Sequence, residues 1–394
     1  MARLLTIGFE VNNAATNYEM DSLATPQSTV IGMTTGRSGA DSRAMYFQTF
    51  IFGGPTASRR FLASPTRGKY FVRFYLKTNT APTGYGTNIC TLGTTSGSNY
   101  IAVTLQAALT INVGVAGGSG TSVTSSTALV ANRWYMVEFS ADMTDGVNCV
   151  GDLRIDGRLQ GSYRSTIANG LNVLGIGSNC SDNGHVAYFD DIAINDDSGN
   201  YQNHFPGPGQ IKLLQPTANG QSVAWSRTGG PTANWDCVDE NGPVTGDYVS
   251  SSTVGQTDWY AFGNLATGTA NKINVVEVLA GLYGNGGSGA TIKFQLQTQD
   301  SGTVLQSASI TPNANYMFNS TSYPRDAPIV SYTDPQDGSP WTESKVNNIQ
   351  AGQTVISTNV SFTLVFAYYL QVEITEPALH GVSSISNISS IAIS

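Results

Sequence analysis

Between Trp134 and Ile194 the chain carries four short alternating segments in succession. They are Trp134-Tyr135-Met136-Val137-Glu138-Phe139, Leu153-Arg154-Ile155-Asp156-Gly157-Arg158, Leu171-Asn172-Val173-Leu174-Gly175-Ile176-Gly177 and Tyr188-Phe189-Asp190-Asp191-Ile192-Ala193-Ile194. Alternation is the side-chain period of a strand. Asp156-Gly157 between two such runs is a hairpin signal, because a tight two-residue turn needs positive φ at both positions. Charged residues make up only 12% of the chain, against about 25% in an ordinary soluble domain. Gly, Ser, Thr and Asn take their place, where helix surfaces would carry Glu, Lys and Arg. The fold class these features predict is all-β.

At 394 residues the chain accommodates two domains. The reading is two β-sandwich, jelly-roll-like domains in tandem, with one short helix and a C-terminal arm. The first sandwich covers 1–200. Its strands begin at Leu4–Glu10, and Tyr70–Leu76 places Tyr70, Val72, Phe74 and Leu76 on one face. Ile101–Leu105 and Leu109–Val115 follow. A Pro/Gly linker, 201–210, contains Pro206-Gly207-Pro208-Gly209, which breaks any strand. The second sandwich covers 211–377, with strands at Tyr260–Phe262, Ile273–Leu279, Ile292–Gln297, Thr303–Ile310 and Val360–Ile374. Thr342 is the expected N-cap of a helix over Glu343–Gln350. The Gly-rich run Gly281–Gly289 lacks the Lys and helix of a phosphate loop and reads as a wide hairpin loop. The arm, 378–394, spaces Ile385, Ile388, Ile391 and Ile393 with small polar residues. It is expected either to fray or to add a strand to a neighbouring subunit, making those isoleucines intersubunit contacts.

The net charge of −8 disfavours a nucleic-acid partner. Arg59, Arg60, Arg67 and Lys69 form the densest cationic stretch, expected on a solvated loop. No export signal and no membrane-spanning run are read from the sequence. Cys90, Cys149, Cys180 and Cys237 lack metal-like spacing and are expected as buried free thiols, with a Cys149–Cys180 bridge as the alternative.

In order and spacing, the Trp134–Ile194 series resembles the second half of a laminin-G-like, concanavalin-type jelly roll. A wider resemblance is carried by Tyr188–Asp196, Pro206–Gly209, Ile211–Ala218, Asn234-Trp235-Asp236-Cys237-Val238-Asp239-Glu240, Asp247-Tyr248-Val249 and Trp341–Gly352. Together these segments resemble virion structural proteins of tailed bacteriophages, which join an N-terminal concanavalin-like jelly roll to a second β-rich domain. The resemblance implies a structural role on the head surface or in the tail. It implies other virion proteins as partners, homo-oligomeric assembly, and a location in the virion after assembly in the host cytoplasm. A receptor-binding protein that uses the first sandwich to hold host surface glycan is the competing expectation.

Concanavalin-type sandwiches include glucanases, whose chemistry needs two carboxylates facing across a cleft. The pattern Glu-x-Asp-x-x-Glu is missing here: Glu19 and Asp21 are followed by Ala24. Glu373 and Glu376 stand at odd spacing, on opposite sides of a strand. His185, His204 and His380 lie near no nucleophile elbow and read as lone polar histidines near loops. No catalytic residue and no enzymatic activity are expected. Calcium is the one cofactor with any support, through Asp182, Asn183, Asp190 and Asp191. The competing account has these carboxylates bonding backbone amides at a strand edge, with Asp196 and Asp197 in a turn. For sugar stacking the candidate rings are Tyr46, Tyr85, Tyr100, Tyr163, Trp259 and Tyr260. Trp134, Trp225, Trp235 and Trp341 are expected in the core.

Overall fold

A computed structural model describes residues 2–11, 19–25, 29–39, 42–49, 54–83, 86–94, 99–179, 184–240, 246–266, 272–285, 289–298, 302–312, 329–358 and 361–376. Among these residues the regular secondary structure is nearly all β, in four antiparallel sheets with one short α-helix. The strand Lys69–Thr78 lies inside a nine-stranded sheet. Its order is Gly120–Thr121, Arg158–Thr166, Asn148–Ile155, Tyr135–Asp142, Lys69–Thr78, Val186–Asp196, Arg43–Thr49 and Thr29–Thr35. Arg3–Ile7 also pairs with Val186–Asp196, at that strand's C-terminal half. Facing it is a seven-stranded sheet ordered Val123–Thr124, Ile111–Ala116, Tyr100–Leu105, Thr87–Gly93, Val173–Asn179, Thr56–Arg60 and Ser22–Ala24.

Alternation explains the closure. Tyr70, Val72, Phe74 and Leu76 enter one core from the first sheet; Leu92, Ile101, Val103 and Ile176 enter it from the second. Each such side chain stabilises by about 1.5–3 kcal/mol when fully buried. Asp156 (φ 49°) and Gly157 (φ 76°) form the expected two-residue turn between Asn148–Ile155 and Arg158–Thr166.

A six-stranded sheet follows, ordered Ser226–Thr228, Tyr248–Ser251, Thr363–Thr375, Lys272–Gly284 and Ile329–Ser331, with Gly209–Leu214 also paired to Thr363–Thr375. It faces a five-stranded sheet ordered Pro216–Val223, Thr257–Phe262, Gln350–Ser357, Thr291–Gln297 and Leu305–Gln306. Their shared core centres on Tyr368, whose ring lies 5.2 Å from Tyr260, 5.7 Å from Phe294 and 6.1 Å from Phe262.

Several expectations are corrected. The helix spans only Glu343–Val346, capped by the Thr342 hydroxyl, because Gln350 onward is taken up as a strand. Of Thr303–Ile310, only Leu305–Gln306 is strand, with an isolated bridge from Ile310 to Ile292. The Gly-rich run does not close a hairpin. Lys272–Gly284 and Thr291–Gln297, the strands before and after it, belong to different sheets. Arg59 is not on a solvated loop: it is fully buried in the strand Thr56–Arg60, 2.5 Å from Asp21. Cys90, Cys149 and Cys237 are buried free thiols; Cys180 lies outside the described residues. Ile385, Ile388, Ile391 and Ile393 also lie outside them. No helix among the described residues is long and apolar enough to cross a membrane.

Candidate functional site

The acidic pair sits at an irregularity in Val186–Asp196. Asp190 pairs with Tyr75 and Ala193 with Arg73, so Asp191 and Ile192 together oppose the single residue between. This is a β-bulge, and Asp191 adopts φ 45° within it. The bulge separates the stretch paired with Arg43–Thr49 from the stretch paired with Arg3–Ile7. Arg37 reaches this part of the strand. Its Nε lies 2.5 Å from Asp191 Oδ2, its Nη1 2.5 Å from Glu376, and its Nη2 donates to the Gly209 carbonyl. The guanidinium also stacks on Tyr75, 3.7 Å from the ring centre.

The remaining carboxylate oxygens are filled by backbone donors. Ile211 N–H donates to Asp191 Oδ1 at 2.7 Å, while Arg37 and Asp191 N–H groups donate to the two Asp190 oxygens at 2.9 and 2.8 Å. Burial, then the neighbouring Asp191 charge, push the Asp190 carboxyl well above its usual range. Burial raises Asp191 as well, against the opposing pull of Arg37 and Arg73. Hence Asp190 and Asp191 are held by cations and amides. Among the described residues no group of three or more potential ligands could hold a metal, and Asp182 and Asn183 fall outside them.

The second sandwich completes the cluster. Glu373 is fully buried, with Arg3 Nη2 and Arg73 Nη1 each 2.5 Å from one of its oxygens. Burial alone would raise its pKa; the two guanidiniums outweigh that and hold it below the usual range. Glu376 follows the end of the strand, so both glutamates engage arginines of the first sandwich, contrary to the opposite-face expectation. Arg3 further donates to Asn195 and Thr6, and Thr6 to Glu277. The Pro/Gly connector is pinned too: Gly207 N–H donates to Glu138, and Arg73 donates to the Gly207 carbonyl. These charges bind one sandwich to the other.

The histidine reading also changes. His185 is buried and bonded at both ring nitrogens, to Ser178 at 2.7 Å and Thr78 at 3.0 Å. His204 contacts the Phe205 carbonyl; His380 is outside the described residues.

Of the six sugar-stacking candidates, Tyr163, Trp259 and Tyr260 are 1%, 4% and 0% exposed. Their inward-facing positions remove them from any sugar surface. Tyr163 donates to the Ser140 carbonyl, and Tyr260 joins Asp258 and Gln353. Tyr85 lies outside the described residues. Tyr46 is half-buried and tilted against Tyr188, 6.1 Å away, on the nine-stranded sheet. Trp134 is corrected from core to half-buried. It meets the same Tyr188, and Lys77 Nζ sits 4.9 Å over its ring and 4.3 Å over Tyr188. The cation therefore covers these ring faces. Trp225 and Trp341 are core residues; Trp235 is only partly buried against the second core.

Tyr100 borders a concavity, a groove of about 250 Å³ on the outer face of the seven-stranded sheet. Thr56, Ser58, Asn88, Thr91, Gly175 and Gly177 contribute to its lining. Sequence reasoning missed these residues. Their one signal was glycine at alternate positions of a strand, which marks close approach of a ligand or backbone.

No protein family matches the sequence, and no curated protein does. Among solved structures, the chain is similar to a cellulose-induced protein, at 14% identity and TM-score 0.38, over 48% of this chain and 96% of that one. It is similar to botulinum neurotoxin type C, whose cell entry depends on interaction with two ganglioside molecules, at 10% identity and TM-score 0.35, over 72% and 75%. It is also similar to a carbohydrate esterase of the Shiga toxin-encoding bacteriophage phi24B, at 10% identity and TM-score 0.35, over 50% and 99%.

Proposed function

We infer that this chain is a non-catalytic structural protein of a tailed-phage particle, decorating the head or forming part of the tail through contacts with other virion proteins and its own copies. The observation that carries this reading is the buried charge cluster. Asp190, Asp191 and Glu373 have the perturbed, desolvated carboxylates that elsewhere suggest catalysis. Here each is fully buried and bonded to arginines or backbone amides, and Asp191 and Glu373 make those bonds across the two sandwiches. Such a cluster holds the two sandwiches in one orientation, which suits a protein that transmits force and repeats in a lattice. The phage assignment rests on the sequence resemblance. Labelling the protein on purified particles tests it: signal on head or tail is expected, and particles without signal overturn the reading. The arm at 378–394 is assigned to intersubunit contact through Ile385, Ile388, Ile391 and Ile393. Light scattering of a chain lacking 378–394 is expected to give a smaller oligomer; an unchanged mass ends that part.

The groove beside Tyr100 favours a second reading, a receptor-binding protein that holds host surface glycan with the first sandwich. Binding of the full chain to a glycan array supports it, and a blank array removes it.

A further inference from the structure

We propose that the outer face of the seven-stranded sheet is a binding trough for a neutral glycan chain, running across the strands; this rests on the glycan-binding reading above. Strand register supplies the geometry. Ser58 stands opposite Gly175, Gly175 opposite Thr91, Thr91 opposite Ala102, and Ala102 opposite Gly114. These five positions form one row across five adjacent strands, and none carries a side chain larger than threonine. At about 4.8 Å between strands, the row runs roughly 19 Å, longer than a single sugar ring.

Larger groups flank this row. On one side Tyr100 stands over Gly93, where an added Cβ would come within 2.8 Å of the tyrosine Cβ. On the other side Asn88 accepts a hydrogen bond from the Thr104 hydroxyl at 2.9 Å through its Oδ1, leaving the amide N–H groups as what it has to offer. The floor is closely built. A Cβ at Gly175 would lie 2.4 Å from Thr91 Oγ1, and one at Gly177 2.4 Å from the Pro55 carbonyl. Glycine within a strand weakens it and often marks a site where a ligand or another backbone approaches closely. A row kept this short across five strands leaves room for a guest.

The lining decides the guest's charge. It offers hydroxyls, one carboxamide, backbone groups and one phenol ring beside the apolar Ala57, Ile89, Cys90, Val173 and Ile176, with no Asp, Glu, Lys, Arg or His. Hydroxyl and amide groups match sugar hydroxyls, and the amphipathic Tyr100 ring suits the apolar face of a pyranose. An acidic glycan would find no cation in the trough. Arg60 stands opposite Val173 at its margin and is not part of the lining.

The test uses the full-length chain on an array of neutral glucan, mannan and galactan oligosaccharides beside uronate and sialylated ones, followed by titration calorimetry on the best binder. Thr91→Val keeps the side-chain shape and removes the hydroxyl; Tyr100→Ala removes the ring; Tyr46→Ala on the opposite sheet is the control. Thermal melts establish that each variant is folded. The expected result is a neutral oligosaccharide bound at least tenfold more weakly by Tyr100→Ala, several-fold more weakly by Thr91→Val, and equally by Tyr46→Ala. Neutral binding unaffected by the two trough variants overturns the trough while leaving the receptor reading in place. Binding confined to acidic glycans overturns the assigned chemistry. An array with no binder ends both.

Discussion

Replacing Glu373 with glutamine tests whether the charge cluster holds the sandwiches together. Glu373 is fully buried, and each of its oxygens lies 2.5 Å from a guanidinium, Arg3 or Arg73, itself no more than 1% exposed. Glu373→Gln keeps the shape but leaves two buried cations facing a neutral amide, one end of which is a donor where an acceptor is required. Removing one partner of a buried ion pair costs about 3–5 kcal/mol. Two pairs share this carboxylate, so a loss of at least about 4 kcal/mol in unfolding free energy is expected. Urea is the suitable denaturant, since guanidinium salt screens the charges being measured. Four of the five tryptophans, Trp225, Trp235, Trp259 and Trp341, lie in the second sandwich, so fluorescence reports chiefly on the half that Glu373 anchors. The pH dependence gives a second readout. The folded pKa of Glu373 is depressed, so its contribution is fully present above the ordinary glutamate value of 4.5 and is lost as pH falls through the folded value. The gap between wild type and variant is therefore constant near neutrality and narrows below pH 4.5. An unchanged urea midpoint at pH 7, or a gap that widens in acid, would refute the reasoning. Converting Arg3 and Arg73 to methionine together with Glu373→Leu restores only part of the loss, because Asn195 and the Gly207 carbonyl then lack their donors.

Glu10 runs the opposite way. Burial first, and then the Asp191 and Glu19 charges, push its pKa from 4.5 to about 8 against an opposing bond from the Arg43 N–H. The folded state holds a proton that the unfolded state releases, so wild-type stability falls as pH rises through that window. Glu10→Gln is expected to match wild type below pH 4.5 and to be the more stable by pH 8.5, by up to about 5 kcal/mol before the carboxyl's partial exposure reduces it; parallel pH profiles of the two proteins would contradict this. Asp258 accepts from the Ala224 and Trp225 N–H groups and from Asn234 Nδ2, at 2.6, 2.8 and 2.6 Å. Asp258→Ala orphans these donors at about 1–3 kcal/mol each. A thermal midpoint within a degree of wild type would show that the network is dispensable.

The sequence exposed whatever depends on neighbours along the chain. Period-two alternation placed Tyr70, Val72, Phe74 and Leu76 on one face, and all four lie in the core. Asp156-Gly157 turns where its φ preferences require, and Thr342 caps the helix it precedes. The helix proved shorter because Gln350 and Ala351 pair with Ala261 and with Gln297 and Leu296, partners far away in the chain. Asp190 and Asp191 looked like metal ligands because the chain order does not show Arg37, more than 150 positions earlier, or the Ile211 amide beside them. Tyr163, Trp259 and Tyr260 looked like rings free to stack on a sugar until sheet packing turned them inward.

The trough illustrates the same division. Ser58, Thr91, Ala102, Gly114 and Gly175 come from five strands and carry no local pattern; antiparallel register alone sets them in a row. Thus the strand period, the turns and the caps were determined by the sequence itself, since torsional preference and side-chain alternation act over a few residues. The destination of each charge, and the groove beside Tyr100, were decided by the tertiary structure. Coulomb and desolvation energies depend on distance and burial, and neither follows from position along the chain.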